Sequence, residues 1–149
     1  KIYLFMKKPL ITLALFLLMC QFSFSQNWLT DFSKAKEISK KEQKKIVLVF
    51  SGSDWCGPCI KLDAYIWKNT EFKEYANENL VMLKADFPRK KKNKLSAEQQ
   101  VHNDKLAEKY QAQFPLVAVL NFEGKVLGRI GFKKKYTPED YINFIAALK

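Results

Sequence analysis

From Lys45 to Phe50 the chain reads Lys-Ile-Val-Leu-Val-Phe, a short apolar run rich in β-branched residues, which predicts a strand buried on both faces. Ile60 to Trp67, just downstream, carries apolar residues at helical spacing. Before the strand, Phe32, Ala35 and Ile38 recur at helical intervals among lysines and glutamates, and Asp31 to Gln43 reads as an amphipathic helix. After the second helix, Thr70 is placed to cap a short one over Glu71–Asn77, ending near Asn79. Leu80 to Phe87 then reads as a second apolar strand. A β-α-β order with an apolar first strand implies parallel pairing through a right-handed crossover.

The pattern breaks at Pro88-Arg-Lys-Lys-Lys-Asn-Lys-Leu95, where five of eight positions are basic. A solvated loop accounts for Arg89–Lys94; the functional alternative is a docking patch for an acidic partner. Ser96-Ala97-Glu98-Gln99 has the form of a capping box and opens a helix to Tyr110, with Val101, Leu106 and Tyr110 facing inward. The lone His102 on that polar helix reads as a surface residue. Val117–Leu120 is a strand and Phe122–Lys125 a turn. Val126–Phe132 completes a hairpin. Thr137-Pro138-Glu139-Asp140 starts the last helix, whose apolar face is Tyr141, Phe144, Ile145 and Leu148.

The first 25 residues read as a targeting segment. Lys7-Lys8 is followed by an eleven-residue apolar run, Leu10–Cys20, and by the small residues Ser23 and Ser25 before Gln26, the form of a cleaved secretory signal. Met6 is the natural translation start, which places residues 1–5 upstream of it. The run is well short of the roughly 20 residues that span a bilayer, so no stable membrane insertion is expected after cleavage. Met19, where a small residue is needed, argues against lipidation at Cys20. Residues 26–149 form one domain by length. Three of the 26 basic residues fall in the leader, leaving 23 against 15 acidic ones, a net charge of +8. An exported chain without a recognition motif, or aromatics within its basic run, is not a nucleic-acid binder.

Without the leader two cysteines remain, in Trp55-Cys56-Gly57-Pro58-Cys59. The strand–helix pattern places this motif at the start of a helix. Residues three apart there share a face, so the two thiols can reach the roughly 4.4–6.8 Å Cα separation of a disulfide. The amide N–H groups of a helix N-terminus favour a thiolate at Cys56, where cysteine pKa values fall to roughly 3.5–7.5. Cys59, a turn deeper, suits a resolving thiol. Pro58 has its φ preset for an early helix position, and Gly57 has no side chain to obstruct a docking partner. Two other readings are weaker. A structural zinc site wants four ligands, and the chain offers Cys56, Cys59 and His102. An inert disulfide across so small a loop contributes little stabilisation.

Trp-Cys-Gly-Pro-Cys after an apolar strand resembles the thioredoxin superfamily, including the Gly-Pro of thioredoxins themselves. The resemblance extends over nearly all of residues 27–149. It implies an α/β thioredoxin-like fold: a central mixed sheet flanked by helices, with the basic loop and one helix inserted before the strand that follows Pro115. That proline matches a cis-proline facing the cysteine pair. The implied activity is thiol–disulfide exchange by Cys56 and Cys59 in the periplasm or outside the cell, with Trp55, Gly57, Pro58, Phe114 and Pro115 forming the substrate groove. No metal and no organic cofactor is implied beyond the Cys56–Cys59 disulfide. The implied partners are client proteins with disulfides or thiols and an electron donor or acceptor, and a monomer is expected. The alternative is a thioredoxin-fold binding or adaptor protein without redox turnover. One departure is plain: thioredoxins carry a buried aspartate where this chain has Phe50, while Lys84 matches a thioredoxin lysine on the neighbouring strand.

Overall fold

The computed structural model describes residues 26–149, and the expected leader lies outside the described residues. Five strands form one mixed sheet: β1 (Trp28–Leu29), β2 (Lys45–Ser51), β3 (Leu80–Asp86), β4 (Leu116–Leu120) and β5 (Val126–Ile130), in the order β1-β3-β2-β4-β5. β3 runs parallel to both β1 and β2, with Val49 opposite Lys84 and Phe50 opposite Ala85. β4 is antiparallel to β2 and to β5, with Phe50 opposite Leu116. The expected parallel β-α-β unit and the hairpin are both present. The two-residue β1 is too short to leave a periodic signal in the sequence. β5 stops at Ile130, two residues early.

Side chains alternate across a strand, and here the alternation separates two cores. Val47, Val49, Met82, Val117 and Val119 face α2 (Gly57–Leu62), a π-helical turn (Asp63–Trp67), α3 (Thr70–Asn79) and α5 (Pro138–Ala147), packing on Leu62, Ile66, Trp67, Phe72, Tyr141 and Ile145. Ile46, Leu48, Phe50, Val81, Leu83 and Ala118 face α1 (Phe32–Glu42) and α4 (Ala97–Tyr110), packing on Phe32, Ala35, Leu106 and Tyr110. Phe144 and Leu148 are partly buried against the first core, as expected of the last helix.

The helix starts follow cap chemistry. Asp31 accepts from the Lys34 N–H, and Thr137 and Asp140 form a reciprocal capping box. Three expectations are corrected. Asn69 caps α3, its side chain accepting from the Phe72 N–H, so Thr70 is the first helical residue. Ser96 accepts from the Gln99 N–H, but the Gln99 amide turns away to Thr30 O and Asn103 Oδ1, so the box is not reciprocal. Val101 is 51% exposed. The inward face of α4 is Asn103, Leu106 and Tyr110, and at 100° per residue Val101 lies on the opposite side from Asn103. Asn103 is chosen over an apolar neighbour because its amide donates to Asp86 O at 2.8 Å. In α1 Ser39 is buried beside Phe32 and Ala35, its hydroxyl donating to Lys44 O, and Ile38 is half-buried.

Candidate active site

The buried β2 ends at Ser51, and the chain turns through Gly52–Trp55 before entering α2. Trp55 N–H and Cys56 N–H both donate to Gly52 O, at 3.2 and 2.9 Å, which closes the turn. Cys56 is the cap residue of α2 rather than a member of its first turn: its backbone is extended, and its Sγ accepts from the Cys59 N–H at 3.3 Å. Pro58 occupies the opening turn, where no N–H is needed. Cys56 and Cys59 are joined as a disulfide with Cα atoms 5.2 Å apart. Both are buried, 5% and 2% exposed, so accessibility by itself does not tell the two sulfurs apart. A Cβ built on Gly57 meets nothing within 4 Å, so the motif faces open space at that residue.

Antiparallel pairing brings the start of β4 beside the end of β2, and with it the Phe114–Pro115 peptide, which is cis as expected. Phe114 stacks edge-on against Trp55 at 5.7 Å and against Phe87 at 5.1 Å. Trp55 and Phe114 are each 36% exposed, an aromatic wall beside the disulfide. The structure thus gathers Trp55, Cys56, Gly57, Pro58, Cys59, Phe114 and Pro115 at one end of the sheet. It does not bring His102 there. The imidazole is half-buried, and Nε2 accepts from the Phe32 N–H at 3.4 Å, linking α4 to the start of α1.

Sequence reasoning missed the second loop of the site. The segment after β3 is fastened to the turn before Cys56. Phe87 N–H donates to Ser51 O at 2.8 Å, and Ser53 donates through N–H and Oγ to the Asp86 carboxylate. Trp55 Nε1–H donates to Phe87 O at 2.7 Å. The Asp54 carboxylate accepts from Arg89 N–H at 2.9 Å, Lys90 N–H at 3.0 Å and the Asn93 side-chain amide at 2.9 Å. These bonds, the one from Arg89 foremost, hold the Asp54 carboxyl below its ordinary value. The Arg89 guanidinium lies over the Trp55 ring, 3.7 Å from its centroid.

Phe50 is fully buried on the α1/α4 side, 6.4 Å from the Tyr110 ring. Lys84 is on the other face, over Trp28 at 4.6 Å and 3.6 Å from Asp63 Oδ1. Asp63 also holds Lys68 at 2.7 Å. Asp63 lies one helical turn past Cys59 in sequence, and its carboxylate is engaged by these two lysines. Among the described residues no group of three or more His, Cys, Asp or Glu side chains converges as a metal site.

A family profile described as thioredoxin-like matches residues 27–122. The chain belongs to the thioredoxin-like family. Its five-stranded mixed sheet flanked by helices is the thioredoxin-like fold. Among curated proteins it is 41% identical over 103 residues to the disulfide bond reductase DsbH of Chlamydia pneumoniae, covering 68% of this chain and 61% of that protein. The chain thus spans less than two thirds of that relative's length. The solved structure of a DsbH oxidoreductase superposes with a TM-score of 0.75 at 35% identity, over 83% of each chain. The C-terminal domain of Neisseria meningitidis DsbD in its oxidised form shares the fold at 20% identity, with a TM-score of 0.56 over 83% of this chain and all of that one.

Proposed function

We propose that this thioredoxin-like chain is an exported thiol–disulfide oxidoreductase working in the reducing direction. The observation that carries the reading is the placement of Cys56 Sγ at the cap of α2, accepting from Cys59 N–H, beside an exposed aromatic wall. In the dithiol form, the Cys56 thiolate attacks one sulfur of a client disulfide and displaces the other as a thiolate, which takes a proton. Cys59, deprotonated, then attacks Cys56 Sγ of the mixed disulfide and releases the second client sulfur as a thiol. Two electrons and two protons pass to the client, and the Cys56–Cys59 disulfide remains; that pair is the whole redox group. Trp55, Phe114 and Pro115 shape the groove in which the client strand lies.

The reducing direction is supported by the printed name of the 41%-identical relative and by Gly57-Pro58 between the cysteines. Export is supported by the pattern of residues 7–25. The test is a turnover assay with a protein disulfide, combined with the reduction potential of the Cys56–Cys59 pair. A potential near the roughly −270 mV of thioredoxin supports a reductase, and one near the −120 mV of strongly oxidising members overturns the direction.

A further inference from the structure

The basic loop is part of the active-site rim, and not a detached solvated segment. Asp54 lies two residues before Cys56, and its carboxylate holds the backbone of Arg89 and Lys90 and the side chain of Asn93. Arg89 stacks on Trp55, the residue adjoining Cys56. A short 3-10 turn, Lys91–Asn93, gives the loop a fixed shape. Lys90, Lys91, Lys92 and Lys94 are exposed, and among the described residues none of the loop's cations is in an ion pair. Several unpaired positive charges are thus held in place next to the sulfur that meets a substrate. The Asp54 carboxylate beside them is engaged by the Arg89 and Lys90 backbone and by the Asn93 amide.

We propose that this loop selects polypeptide partners whose disulfide is flanked by aspartate or glutamate. The inference rests on the oxidoreductase reading above. A polypeptide is the fitting occupant because the loop is continuous with the aromatic wall, so whatever it holds lies against the disulfide. The charge then acts on the encounter, where complementary fields raise association rates and fade with salt.

The experiment uses the dithiol form of the whole exported chain and three disulfide-linked peptides that differ only in the residues flanking cysteine: glutamate, glutamine or lysine. Each reduction passes two electrons and two protons from Cys56 and Cys59 to the peptide disulfide, and stopped-flow tryptophan fluorescence follows it. The expected order is glutamate, then glutamine, then lysine, with about a tenfold spread at low salt. Near 1 M salt, where the Debye length is about 3 Å, the spread closes. In a Lys90→Glu/Lys91→Glu/Lys92→Glu variant the order inverts. A Lys34→Glu/Lys40→Glu/Lys41→Glu variant, changing the same charge on exposed positions of α1, keeps it.

Equal rates for the three peptides in the parent protein overturn the proposal while leaving the oxidoreductase reading intact. Persistence of the glutamate preference in the loop variant, or its loss in both variants, assigns the effect to overall charge and also overturns it. Equal peptide rates combined with loop-dependent binding to phosphatidylglycerol vesicles would assign the loop to a lipid surface instead. If none of the peptides is reduced, the oxidoreductase reading fails and this proposal with it.

Discussion

Gly52 lies directly against the indole of Trp55: a Cβ at position 52 would stand 2.3 Å from Cε2 and 2.6 Å from Nε1. The indole therefore rests on bare backbone, with Nε1–H reaching Phe87 O and the Arg89 guanidinium over the ring. Gly52→Ala must move the indole or the turn, costing about 1–3 kcal/mol as overpacking does. Because Trp55 adjoins Cys56, the same change slows disulfide exchange. Urea unfolding and exchange rates measured on one preparation check this. Stability within experimental error of the parent, together with an unchanged rate, contradicts the packing described.

Asp54 sets a second prediction. Hydrogen bonds from Arg89, Asn93 and Lys90 depress its pKa below the ordinary 3.8. A depressed native pKa means that the loop contacts are fully present above the ordinary carboxylate range and are lost as pH falls through the native value. The amide proton shifts of Arg89 and Lys90 therefore titrate together, with a midpoint below 3.8. Asp54→Ala abolishes that titration and makes residues 89–94 more open to proteolysis at neutral pH. A midpoint at or above the ordinary value contradicts the assignment.

Phe50 gives a third. It is fully buried and packed near Tyr110 on the sheet face of α1 and α4. Phe50→Asp, which restores the aspartate that thioredoxins carry there, removes a core ring and introduces a carboxylate without a partner. The loss is at least the roughly 3–5 kcal/mol of a buried Phe truncation. Burial also raises the new carboxyl's pKa, so the variant becomes still less stable relative to the parent as pH rises from about 4. Denaturant melts at pH 4 and pH 7 measure both effects. A variant as stable as the parent at pH 7 contradicts the burial.

These residues also show what sequence reasoning could reach. Trp55 to Cys59 was legible because five consecutive residues and one strand-to-helix change specify it. The Phe114–Pro115 peptide was legible only through resemblance to a family. Phe50 was recognisable as a missing acid, but nothing along the chain said that Asp63, a turn beyond Cys59, would hold Lys84. The bond from Arg89 to Asp54 joins residues 35 apart through side chain and backbone, and no periodicity encodes such a pair. Arg89–Lys94 therefore read as an ordinary basic loop. On α4, hydrophobicity favoured Val101, but the tertiary bond from Asn103 to Asp86 O set the buried face.

In the proposed mechanism Cys56 attacks and Cys59 resolves. This assignment of roles is tested most directly by isolating Cys59→Ser and Cys56→Ser from their own compartment after rapid acid quench, and comparing the adducts on a non-reducing gel with mass mapping. In Cys59→Ser mixed disulfides are expected to be trapped on Cys56, their masses naming the clients, and in Cys56→Ser few adducts and no turnover. Equal adduct patterns in the two variants, or adducts on Cys59 alone, would contradict it.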